Sequence, residues 1–170
     1  DIEGNISLST MNTQEVSEQT LQLFNKAAAA QISLIGTPYI NGETNHVYLD
    51  IAAPLYPREG NISKMFGAVI LQVDLSMFFY PMIQSQTITR KTNEVILFQK
   101  DDDKVLFLTK ARFQKEDLLE LRISLERDDI TEVIGAKGYR GIIKATDYRG
   151  VGVISVVEPI PDSPCFLKLK

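Results

Sequence analysis

Apolar and polar residues alternate with two different periods along this chain, and the switches between them mark out the elements. From Val16 to Ala30 the spacing is helical: Val16, Leu23, Ala27 and Ala30, with Phe24 and Ala28 beside them, form one stripe. Asn12 or Thr13 is placed to cap this helix, Glu15 and Glu18 lie near its positive end, and Gly36 and Pro38 end it. Ahead of it, Ile2 to Ser9 alternates around Gly4-Asn5, as two short strands joined by a tight turn would. Two long β-rich runs follow, Val47 to Tyr56 and Phe66 to Leu75. Pro57 to Asn61 between them is too short for a parallel crossover, so the pair is expected to be antiparallel. Ser76 can cap a short apolar turn through Tyr80 that stops near Pro81, and from Gln84 to Asn93 all periodicity is lost.

The plan then begins again. Glu94 to Phe98 and Val105 to Leu108 flank the turn-tolerant Asp101-Asp102-Asp103, which reads as a hairpin. Leu121 to Leu125 is a further short strand. Asp128 or Asp129 can cap a short helix through Val133 and Ile134 that breaks by Gly138. Three strands close the chain, Tyr139 to Ala145, Val151 to Glu158 and Cys165 to Leu169. The fold class expected is therefore α+β, with two modules, each an antiparallel sheet with flanking helices. Residues 1–84 form the first, 85–93 a linker and 94–170 the second.

Composition narrows the function classes. With 170 residues, 44% of them hydrophobic and 24% charged, the chain can bury one substantial core or two small ones. A net charge of −4 gives no electrostatic reason to approach nucleic acid, and the one basic cluster, Arg90-Lys91, is short. Cys165 is the single cysteine, so no disulfide forms within the chain, and no helix start or nearby histidine activates its thiol. No window supplies the roughly 18 to 20 apolar residues of a bilayer span. The chain begins at Asp1 without a methionine, which points to a piece of a longer protein.

Three stretches carry a resemblance: Val47-Tyr48-Leu49-Asp50-Ile51-Ala52-Ala53-Pro54-Leu55, Gly67-Ala68-Val69-Ile70-Leu71-Gln72-Val73-Asp74, and the Asp147-Tyr148-Arg149-Gly150 hairpin with its Pro159-Ile160-Pro161 exit. Together they resemble the double-Cache, extracytoplasmic PAS-like sensor domains of prokaryotic transmembrane receptors. The resemblance implies a membrane-distal and a membrane-proximal module, the distal one lacking its usual leading long helix. It also implies a periplasmic or extracellular location, tethering through flanking membrane helices, a homodimeric receptor and a small-molecule ligand. The output is a sensor histidine kinase in the first reading. The alternatives are a diguanylate cyclase, a chemoreceptor, or a structural or partner-binding ectodomain without a ligand, its space plugged by Phe78, Phe79 and Phe113.

A PAS-like pocket lies between a sheet and the elements covering it, so candidate residues are inward-pointing polar groups. Asp74 follows an apolar run at the place where amino-acid-sensing Cache domains carry an amine-binding aspartate; its other reading is a helix cap. Tyr48 and Asp50 share one face of their strand because side chains repeat every two residues. In the second module Arg140 and Arg149 are candidate anion holders, against a turn in which Arg149 pairs with a neighbouring carboxylate. The chain has no tryptophan, and residues 36–45 have no arginine, so the amino-acid-binding pattern is incomplete. His46, the only histidine, lacks the partners for a metal site, and Asp101 to Asp103 lack the spaced donors of an EF-hand. No catalytic set emerges. The fragment is read as non-catalytic and free of cofactors, whatever enzyme activity a full-length receptor carries.

Overall fold

The computed structural model describes residues 6–10, 16–42, 44–57, 65–77, 79–86, 93–161 and 163–170. The expected hairpin around Gly4-Asn5, the Asn12 or Thr13 cap, Phe78 and the Arg90-Lys91 pair lie outside these residues. The chain divides into two compact units, Asp1–Leu75 and Ser76–Lys170.

In the first unit, α1 (Glu18–Ala30) is capped by Ser17, whose hydroxyl accepts the Thr20 N–H at 3.1 Å. It ends at Gln31, which takes the left-handed conformation (φ 58°) and donates back to Ala28. The helix therefore closes before Gly36. That glycine serves a different purpose: a Cβ there would come within 3.2 Å of the Asp50 carbonyl, which accepts the Gly36 N–H at 2.8 Å. The sheet is antiparallel, with β3 (Val47–Leu55) at its centre. The two-residue strands β1 (Leu34–Ile35) and β2 (Tyr39–Ile40) pair along one edge of β3, and β4 (Gly67–Asp74) pairs along the other from Leu55↔Gly67 to Tyr48↔Asp74. Leu23, Ala27 and Ala52, with Leu34 against them, join helix to sheet. On the other face Val69 and Leu71 are exposed.

In the second unit six antiparallel strands lie in the order β7-β6-β5-β10-β9-β8. They are β5 (Val95–Asp101), β6 (Lys104–Phe107), β7 (Arg122–Ser124), β8 (Gly141–Thr146), β9 (Gly152–Pro159) and β10 (Cys165–Leu169). The helix α2 (Phe79–Gln86) contains Pro81 in its first turn, where N–H groups have no intrahelical partner. Pro81 therefore sits at a helix start, contrary to the expected stop. Phe79 packs on Leu97, Leu106, Leu108 and Cys165 on one face of the sheet. On the other face α3 (Thr131–Ala136) covers Ile96, Phe98, Val105, Phe107, Ile143 and Val157. Its N-cap is Ile130, not an aspartate. Asp129 is instead engaged by Arg127 at 2.9 Å and by Thr146.

The helix α3 lies very close to the sheet. A Cβ on Gly135 would stand 2.6 Å from Val157 Cγ1 and 3.1 Å from Phe98 Cζ. Under the same helix, Lys168 Nζ donates to Glu132 Oε1 at 2.7 Å, and both side chains are wholly buried. Thr131 donates to the other Glu132 oxygen.

A second network closes one end of this sheet. Lys170 Nζ lies 2.7 Å from Glu94 and donates to Asp147 at 3.0 Å, while Arg149 donates to Asp147 at 2.6 Å. Glu94 also accepts the Arg112 N–H and the Tyr148 hydroxyl. Burial, with the Glu94 charge adding to it against the Phe113 N–H, pushes the Tyr148 phenol up to about 12. Burial also opposes ionisation of Asp147, but Arg149 and Lys170 outweigh it and hold the carboxyl well below the usual range.

Two predictions follow from this packing. Gly135→Ala forces α3 off the sheet and should destabilise the unit by about 1–3 kcal/mol in urea unfolding. Gly152→Ala, where an added Cβ meets nothing within 4 Å, is its control and should cost far less. Because the folded Asp147 carboxyl is depressed, its stabilisation is complete above about pH 4 and drains away below it. Unfolding midpoints measured from about pH 6 to about pH 3 should fall, and less steeply in Asp147→Asn; equal slopes would refute this account of Asp147.

Candidate functional site

The helix-facing side of the first sheet is unusually polar for a surface beneath a helix. Register places Tyr48 opposite Asp74 and Asp50 opposite Gln72, so period-two alternation puts all four on one face. Tyr39, opposite Tyr48, joins them from β2, and its ring centroid lies 6.4 Å from that of Tyr48. The candidate residues of this module are thus brought together.

Asp50 is the centre of the cluster. It is 2% exposed, and its carboxylate accepts the Thr20 hydroxyl from α1. The Tyr39 hydroxyl donates to both its oxygens, at 3.2 and 3.3 Å. Gln72 Nε2 donates in turn to the Tyr39 oxygen at 2.6 Å, so a relay runs from Gln72 through Tyr39 to Asp50 and meets Thr20 there. Burial first, and then the Asp50 charge, raise the Tyr39 phenol above its ordinary value. This relay fixes the tilt of the Tyr39 ring and ties helix to sheet through polar bonds as well as apolar contacts.

Asp74 ends β4 at the rim of the same face and lies 2.7 Å from His46 Nδ1. His46, on the connection between β2 and β3, is about half exposed, whereas Asp74 is mostly covered. The sequence separation of 28 residues explains why the pair was not foreseen. Thr20, Tyr39 and Gln72 were missed as well. Gln72 carried a readable signal, as a polar residue two before Asp74 in an otherwise apolar strand.

The second-module candidates do not converge. Arg149 is bound to Asp147, with its guanidinium 4.3 Å over the Phe113 ring. Arg140 is exposed just before β8, whereas Arg149 follows that strand. The six residues of β8 span roughly 20 Å between them. Of the side chains considered as plugs, Phe79 is packed and Phe113 is half exposed beneath Arg149. An open trough of about 440 Å³ beside β8 and β9 is lined by Lys144, Ala145, Gly152, Val153 and Ile154. Lys144 is its only charged side chain, and it lacks the convergent polar groups of the first unit. Among the described residues no group of three or more His, Cys, Asp or Glu could hold a metal ion, and no helix is long and apolar enough to cross a membrane.

No family model and no curated protein matches the chain. Solved structures do. The periplasmic sensory domain of the Campylobacter jejuni chemoreceptor Tlp1 is 14% identical with a TM-score of 0.62, over 90% of this chain and 54% of that one. The extracellular domain of the candidate histidine kinase mmHK1S-Z3 is 16% identical with a TM-score of 0.60, over 87% of this chain and 52% of that one. The ligand-binding domain of the Pseudomonas aeruginosa PAO1 amino acid chemoreceptor PctC, solved with GABA, is 13% identical with a TM-score of 0.59, over 98% of this chain and 70% of that one. This chain thus spans about half the length of the first two. At such identities the likeness concerns architecture: the chain has the α+β fold of extracytoplasmic, Cache-type ligand-binding sensor domains.

Proposed function

We propose that this chain is the extracytoplasmic sensing region of a transmembrane signalling receptor and that a small molecule binds its first unit. The observation that carries this reading is the inward-facing relay of Thr20, Tyr39, Asp50 and Gln72 on a sheet face whose fold neighbours include ligand-binding domains. A purely structural module would gain more from apolar side chains there, since each buried polar group must be matched by a hydrogen bond to avoid a penalty.

The second unit supports a division of labour. Gly135 brings α3 down to van der Waals contact with the sheet, and the Lys168–Glu132 pair beneath it is fully buried. We assign ligand recognition to the first unit and a supporting role to the second. Binding would act by favouring one of two conformations through differential affinity. Tethering through flanking membrane helices, a dimeric receptor, and an output through a histidine kinase or a chemoreceptor signalling domain belong to the same proposal, since both kinds of protein occur among the neighbours. The fragment itself is assigned no catalysis.

A thermal-shift screen of small metabolites on the purified chain tests the reading. A true ligand at about 100 times its Kd stabilises the protein by about 2.7 kcal/mol, a rise of several degrees. Asp74→Ala should reduce that rise. A library without a single hit, together with unchanged signalling by a full receptor carrying Asp74→Ala, would sink it.

A further inference from the structure

The second unit encloses one lysine completely. Lys168 lies on β10 with Ile96 and Val157 opposite it on the two neighbouring strands, and all three are wholly buried. Lysine is almost never enclosed in this way unless it is paired. Its ammonium donates to Glu132 on α3 at 2.7 Å, and the second oxygen of that carboxylate accepts the Thr131 hydroxyl at 2.7 Å. Leu167 and Leu169 on either side of it point the other way and stay 37% and 49% exposed, so the strand gives up apolar burial to hold this lysine inside.

Stability alone does not account for such a pair. Ile96, Phe98, Val133 and Val157 already make this interior apolar, and replacing a buried ion pair by apolar groups of similar volume is often neutral or stabilising. What the pair does fix is position. The six residues of α3 are too few to hold a helix without tertiary contacts. Glu132 and Gly135, three apart, share the side of α3 that meets the sheet. That is the space between a sheet and its covering element in which a PAS-like module takes a ligand. An ammonium on an unbranched stem, met by a carboxylate from the covering helix, is the way a diffusible alkylamine would be held there.

Resting on the division of labour assigned above, we infer that the second unit carries its ligand built in: Lys168 is a tethered alkylammonium that fills the space under α3 and holds the helix on the sheet. The unit is permanently occupied and takes up no diffusible molecule. Cut back to alanine, the same position becomes a site for a short primary alkylamine. Glu132 selects the positive charge, the apolar walls select an unbranched stem, and the close approach at Gly135 leaves no width for a quaternary head.

Thermal shift and hydrogen exchange on the whole chain carrying Lys168→Ala test this, with n-propylamine, which replaces the atoms removed, against 1-propanol, propionate and choline. The substitution should lower the unfolding midpoint by about 10 °C or more. The amides of Ile134 and Lys137, which bond within α3 and its caps, should exchange faster by about tenfold or more relative to that of Leu108, which bonds to Leu97 in the sheet. Propylamine, titrated to about 100 mM, should restore both the midpoint and the protection in the variant and change neither in the unsubstituted chain. The other three compounds should restore nothing, and Glu132→Gln added to Lys168→Ala should abolish the rescue. Where Lys168→Ala does not fold alone, propylamine present during renaturation should return it to the folded state and propanol should not. An unshifted midpoint, rescue by propanol as strong as by propylamine, no rescue at all, or exchange that speeds equally in α3 and the sheet overturns the inference. None of these outcomes touches the sensing role of the first unit, which stands or falls on the metabolite screen.

Discussion

A carboxylate withdrawn from water must be met by donors or by a positive charge, and much of this chain is arranged around that requirement. In the second unit the answer is ionic. Lys168 is drawn wholly inside to reach Glu132, and Lys170 and Arg149 are gathered around Glu94 and Asp147. In the first unit the answer is hydroxylic. Thr20 is spent from the buried stripe of α1, and Tyr39 from a two-residue strand, to satisfy Asp50. Ser17 is part of the same arrangement, since its side chain both caps α1 and contacts the Thr20 hydroxyl at 2.7 Å.

The two solutions leave different interiors. Ion pairs matched inside a close-packed layer give the second unit an interior with its charges neutralised and its helix seated on the sheet. In the first unit neutral hydroxyls meet the buried carboxylate of Asp50, and among the described residues no lysine or arginine pairs with it. The same α+β plan thus meets its buried carboxylates in two ways, and the difference resides in a handful of side chains, not in topology.

Much of the architecture was legible because it rests on local signals. The β3–β4 pair, the hairpin at Asp101 to Asp103 and the three closing strands emerged from period-two runs separated by turn residues. The turn at Asp102 even has the positive φ of 54° that aspartate tolerates. What failed depended on partners distant in sequence or on context. Pro81 reads as a terminator until its place in a first turn is known. The strands β1 and β2 are too short to show a period. Most instructive is β10, where Leu167 and Leu169 face outward and Lys168 is buried. Alternation alone would invert that strand, and only Glu132, 36 residues earlier, makes the observed orientation affordable. The candidate site was half legible for the same reason: Tyr48, Asp50 and Asp74 lie on strands whose alternation is readable, whereas Thr20, Tyr39 and His46 reach it through tertiary structure.

Glu94 and Lys170 exchange two backbone hydrogen bonds, at 3.0 and 2.9 Å, and add an ion pair at the same end of the β5–β10 ladder. Antiparallel strands whose loaded ends lie side by side yield as a zipper does, one rung at a time, unlike strands sheared lengthwise, which must break many rungs at once. A tension drawn between these two residues would therefore meet its greatest resistance at the first rung. The charged clasp sets the force at which that end of the sheet begins to peel, and once it gives way the rungs behind it resist singly.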